Sequence, residues 1–395
     1  MFEKLGIDRV PDQGDYFVTL SEFSDRVKKQ KEGQEDEGLD LSEQQRQASR
    51  GPCSAKQFPE LAEWVRINEK HMDRLVAASR RERFYSPMFS GGDPPFVLAS
   101  LLSELFLARD ISRALSVRAM LRLHEGQVEG AWQDLIACHR ISRLVAQNPM
   151  LLGQIVANVV ETVACRGTEQ LAHHGKLTIK QVERFQDALC KLPARPAMVE
   201  CIDRAERFMF LDAVTWCVRR PKAFGAVGFF DGNMTRMGLE KLVGSSLVDW
   251  NIVLKMGNEW YDRQADAFKK PTVAEQKAAF DKLDEEKETS RRKLDGPLKM
   301  AKSFFAFRSP RKTVSRHMGT GFIVLLTSAA LQPQESENRW TMRVRLVTVA
   351  LALAGYRADH DVDVHSAKQG RAQIRGFGKT SVWTGSRRWN SIGIS

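Results

Sequence analysis

The stretch from Arg113 to Pro149, RALSVRAMLRLHEGQVEGAWQDLIACHRISRLVAQNP, limits the fold of this chain more than any other segment. Ala114, Val117 and Leu121 recur at helical spacing, and Glu125-Gly126 interrupts them where a glycine cap is favoured. Val128, Ala131, Trp132, Leu135, Cys138, His139, Ser142 and Val145 then form one stripe, the spacing of a helix with one buried face. Asn148-Pro149 closes it, because proline disfavours helical geometry in the residue before it. The pattern predicts two helices joined by a tight turn, and hence a packed α-helical protein.

The same logic extends along the chain. Pro59 opens a helix through about Ser79, with Leu61, Trp64, Val65 and Met72 on its apolar side. Asp93-Pro94-Pro95 starts a helical stretch leading into the hairpin. Leu151 to His173 is helical and unusually apolar, which places it at the centre of a bundle. Thr178 and Gln181 form a capping box, as do Thr272 and Glu275 after Pro271. Further helices are expected at Ala197 to Val218, Asp249 to Lys269 and Asn338 to Tyr356, and no alternating run is long enough for a substantial sheet. The expected architecture is all-α, an irregular helical bundle with a repeat-like hairpin. Its parts are a poorly ordered charged segment at 1–55, a helical core at 56–220 and a Gly-rich loop region at 221–248. A second helical part follows at 249–360, then an irregular basic tail at 361–395. For that tail two readings stand: a disordered segment, or translation out of frame.

Gly126, Val128, Ala131, Leu135 and Cys138 fall at offsets that resemble half of a tetratricopeptide repeat, but no second copy follows at a period of about 34 residues. RAMLRL-EG-AWQDL-ACHR, LAHHGKLT (Leu171 to Thr178), ERFMFLDAV, GNEWYDR and LALAGYRADH together resemble the signature stretches of a large family of uncharacterised bacterial helical proteins, over roughly residues 55 to 360. The resemblance implies a helical fold and transfers no catalytic residue. The N-terminus MFEKLGIDRVPDQGDYF departs from the hydrophobic anchor frequent in that family, and the tail departs from its usual Tyr-Pro continuation.

Composition is that of a globular protein, with 43% apolar and 28% charged residues. The six cysteines form no CxxC pair and are read as small buried hydrophobes in a reducing compartment. The apolar runs Gly321–Leu331 and Val344–Ala354 are eleven residues each, short of the ~20 that span a bilayer. The expected location is therefore the cytoplasm, or the membrane or envelope if an N-terminal anchor has been lost.

No catalytic constellation emerges. His173 and His174 are adjacent and point about 100° apart on a helix, which chelates poorly, so neither a metal nor any other cofactor is expected. His139, on the apolar stripe, reads as a satisfied core histidine. Glu206 and Asp212 lie six residues apart on different faces, with ion pairing to an arginine such as Arg207 as their expected role. Together with Trp260, Tyr261 and Asp262 they are the candidate pocket residues. Charge carries more colour. The net charge is +11, and Arg291, Arg292, Lys293, Lys299, Lys302, Arg308, Arg311, Lys312 and Arg316 face a single acid, Asp295, in their segment. Phe304, Phe305 and Phe307 interleave with them, a composition suited to an anionic membrane surface; no recognised nucleic-acid fold accompanies it. The leading expectation is a non-catalytic interaction or scaffold protein with a protein partner. The alternatives are peripheral membrane attachment through 291–331 and a hydrolase with an unrecognised pocket.

Overall fold

The computed structural model describes residues 15–30, 40–85, 89–90, 97, 100–101, 103–220, 247–294, 310–327 and 331–360. The described chain is all-α apart from one two-residue antiparallel ladder, β1 (Phe89–Ser90) with β2 (Ser100–Leu101). That ladder lies just before the hairpin, so the helix expected from Asp93 begins only at Ser103.

The hairpin is α5 (Ser103–His124) and α6 (Val128–Val145), turned by Gly126 at φ 76°, a left-handed geometry that costs glycine little. Antiparallel packing continues into α7 (Leu151–His174), which touches α5 and α6 along its length. The capping box of Thr178 and Gln181 starts α8 (Ile179–Cys190), as the sequence predicts, and Phe185 of α8 stacks on Trp132 with ring centroids 4.1 Å apart. The last of the described helices, α14 (Leu331–His360), lies on α7 and α8 and contributes Val347, Leu351 and Ala354 to this first core. It thus belongs with the hairpin rather than with a second helical part.

A second core gathers around α10 (Arg207–Arg219), α11 (Trp250–Phe268), α12 (Val273–Leu294) and α13 (Pro310–Leu326). Short α9 (Met198–Glu200) enters α10 through a π-helical segment, Cys201–Glu206. Close approach explains Gly257: a Cβ there would sit 2.0 Å from Cε1 of the buried Phe210 ring. Leu151, the first residue of α7, reaches this core and ties the two together.

The described part of the N-terminal segment is more ordered than expected. Leu20–Gln30 (α1) and Leu41–Ala48 (α2) are helical, and Phe23, Leu41 and Ala48 enter the first core. A few well-spaced apolar residues suffice to dock a mostly charged helix. Docking also breaks the helix expected from Pro59 to Ser79 into α3 (Pro59–Ile67) and α4 (Glu69–Ala78). At the break, buried Asn68 accepts from the Val18 backbone N–H through Oδ1 at 2.8 Å and donates to the Val18 carbonyl through Nδ2 at 3.0 Å, while Trp64 Nε1 donates to the same carbonyl at 2.8 Å. The tail 361–395 and nearly all of the Gly-rich region fall outside the described residues.

Candidate interaction surface and buried polar networks

The candidate pocket does not assemble as one site. Glu206, at the end of the π-helical turn, is buried and accepts from the Leu151 backbone N–H at 2.9 Å, capping the start of α7. Burial holds its carboxyl above the usual range, and burial, helped by the Glu206 charge, pushes up the nearby Tyr261 phenol. Asp212 accepts from the Val97 N–H at 2.8 Å on another side of the helix. Both carboxylates therefore serve backbone donors, which corrects the expected arginine pairing. Arg207 instead binds Asp203 at 2.5 Å and the exposed Asp262 at 2.7 Å. Trp260 carries the Arg263 guanidinium 5.4 Å from its ring centroid.

The basic segment divides too. Lys299, Lys302 and Arg308 lie outside the described residues, as do Phe304, Phe305 and Phe307. Arg291 and Arg292 pair with Glu288 on α12 at 3.0 and 3.1 Å, and Lys293, Arg311, Lys312 and Arg316 are exposed. The apolar residues that follow, Val314, Met318, Phe322 and Ile323, are buried in the second core. No helix among the described residues is long and apolar enough to cross a membrane.

Helix packing assembles a polar layer that linear reading missed. Between α6 and α7, buried Glu161 meets His139 Nδ1 at 2.9 Å and Arg143 Nη1 at 2.7 Å, while His139 Nε2 meets Thr168 Oγ1 at 3.1 Å. His139 is thus a satisfied core histidine. Burial acts to raise the Glu161 carboxyl, but His139 and Arg143 outweigh it and hold it at about 2. Cys165 completes a triad with His139 and Glu161 whose ligand atoms lie within 4.8 Å of one another. Three features favour a structural network over a metal centre. Both ring nitrogens of His139 are engaged, Arg143 already supplies the counter-cation, and burial pushes the Cys165 thiol up, away from the thiolate a metal needs.

The layer continues under α14. Arg143 and Arg195 lie 5.3 and 4.7 Å from the Trp340 ring, the cation–π range. Arg195 donates to Asn158 Oδ1 at 2.5 Å and Gln154 Oε1 at 3.0 Å, and burial together with neighbouring Arg143 lowers its guanidinium to about 10. Asn158 donates to Ser336 at 2.6 Å, Arg343 to Thr162, and Arg357 to the Ala172 carbonyl at 2.6 Å. These bonds fix the rotation of α14 on α7.

That rotation decides what α14 shows to water. Trp340, Val344, Val347, Leu351 and Ala354 line its inner side, whereas a second apolar stripe points outward. Met342 is 57% exposed, Leu346 51%, Val349 52%, Leu353 59% and Tyr356 57%. Steps of 4, 3, 4 and 3 residues keep these five on one face over about 21 Å of helix. Scattered apolar side chains on a surface are ordinary, whereas these five form a continuous exposed stripe. Comparison with known proteins adds no relative: no protein family, no curated protein and no solved structure matches the chain.

Proposed function

We propose that this chain is a non-catalytic helical interaction protein, and that the outward face of α14 is where a protein partner binds. The exposed stripe Met342–Leu346–Val349–Leu353–Tyr356 carries the reading, because its heptad spacing is what an apposed helix would match. Support comes from the inside as well: Glu206, His139 and Glu161 are engaged in holding helices together, and Asp212 holds the backbone at Val97. The test is crosslinked affinity purification of the wild-type chain beside Leu346→Glu/Leu353→Glu. Proteins recovered with the first and lost with the second support the reading; identical recovery overturns it. A second reading, attachment to an anionic membrane through Arg311, Lys312 and Arg316, draws on their exposure at the start of α13. With the apolar side of α13 buried, such attachment would be purely electrostatic and abolished by salt, which vesicle sedimentation measures.

A further inference from the structure

We propose that the occupant of the α14 face is a second copy of this chain, paired antiparallel about a two-fold axis level with Leu351, where Ala352 of each copy flanks the seam. The inference rests on the stripe being an interaction surface and names its partner. In heptad terms Leu346 and Leu353 occupy a positions and Met342, Val349 and Tyr356 occupy d positions. Set antiparallel, Leu346 packs on Tyr356 of the second copy and Val349 on its Leu353, and the two-fold repeats both contacts. A C2 pair requires such a self-complementary patch.

Charge selects this register. Arg345 and Asp359, both exposed, occupy equivalent flanking positions two turns either side of Ala352. In the antiparallel pair each Arg345 faces Asp359 of the other copy, and beside the axis the two Ala352 side chains let the helices approach closely. The opposite flank carries Arg343 and Arg357, but both are turned inward, to Thr162 and the Ala172 carbonyl. A parallel pair would bring like residues together and leave Arg345 without an acidic neighbour across the seam. The chain's own residues 361–395 suit the face less well: six Lys/Arg against two Asp make them basic, beside the arginines at 339, 343 and 345. A stripe of about 21 Å is at the small end of specific interfaces, which need roughly 1,000 Å² in total, so a reversible dimer in the micromolar range is the expected product.

Sedimentation equilibrium of the full chain from low to high micromolar concentration tests this. A concentration-dependent monomer–dimer equilibrium is expected, with Leu353→Glu raising the dissociation constant at least about tenfold at unchanged helical circular dichroism. Arg345→Glu should raise it roughly two- to thirtyfold, since the ion pair occurs twice, and Arg345→Glu/Asp359→Arg should restore it. Orientation is read by oxidation in a Cys190→Ser background, because Cys190 is the exposed thiol: Ala352→Cys should form a disulfide dimer and Leu346→Cys should not. A monomer at every concentration, a dimer indifferent to Leu353→Glu, or crosslinking through Leu346→Cys in place of Ala352→Cys overturns the proposal. If the chain is monomeric yet captures a different protein through the stripe, the interaction reading survives and self-pairing fails.

Discussion

Glu161 is buried against His139 and Arg143, and its behaviour with pH follows from these neighbours. Its folded-state value, about 2, lies below the ordinary 4.5. A depressed carboxyl stabilises the fold fully above the unfolded value, and the contribution is lost as pH falls from about 4.5 towards 2. The difference is on the order of 3 kcal/mol. Glu161→Gln should cost roughly 3–5 kcal/mol at neutral pH by leaving Arg143 buried without its counter-charge, and should flatten the stability profile through that acid window. Urea unfolding at stepped pH measures both, and equal slopes for variant and wild type would remove the assignment. Glu206 and Asp262 should separate in the same assay. Glu206→Ala leaves the buried Leu151 N–H without an acceptor and should cost about 1–3 kcal/mol, whereas Asp262→Ala, at an exposed pair, should stay within about 0.5 kcal/mol. His139 could be read from sequence because an apolar stripe explains it. Glu161, Arg195 and Trp340 could not, since their roles appear only when α6, α7 and α14 meet.

At the scale of elements, local chemistry transmitted well where it was self-contained. The box at α8 is present in both directions, with Gln181 N–H donating to Thr178 Oγ1 at 3.3 Å and Thr178 N–H to Gln181 Oε1 at 2.9 Å. The box of Thr272 and Glu275 is reciprocated in the same way. Thr178→Ala should lower stability by about 0.5–2 kcal/mol, seen as a shifted urea midpoint with an unchanged slope. Gly257→Ala should cost about 1–3 kcal/mol, because the Phe210 ring lies between helices and cannot move aside freely; a neutral result would mean that α10 and α11 can separate slightly. Elements governed by distant partners were less legible. The break at Asn68 is enforced by Val18, fifty residues away, and the docking of α1 by a handful of apolar side chains in a charged background.

The described residues gather into two large helical cores joined at the start of α7, with a smaller apolar cluster of Leu105, Val145, Met150, Val156 and Val160 between α5, α6 and α7, and α14 closes the first large core. Its sequence carries two apolar stripes offset by two residues, Trp340–Val344–Val347–Leu351–Ala354 and Met342–Leu346–Val349–Leu353–Tyr356. Either could have been the core side, so periodicity predicts the helix and leaves its rotation open. The polar bonds of Asn158, Thr162 and Ala172 make the choice.

The position of α14 in the chain sets a timetable for synthesis. Arg357 meets a carbonyl 185 residues upstream, which at translation rates of about 5–20 residues per second is a gap of roughly 10 to 40 s. Throughout that gap α7 stands with its Asn158, Thr162 and Ala172 side without the α14 partners that later cover it. The first core therefore cannot be sealed until α14 has been synthesised, long after the helices it covers.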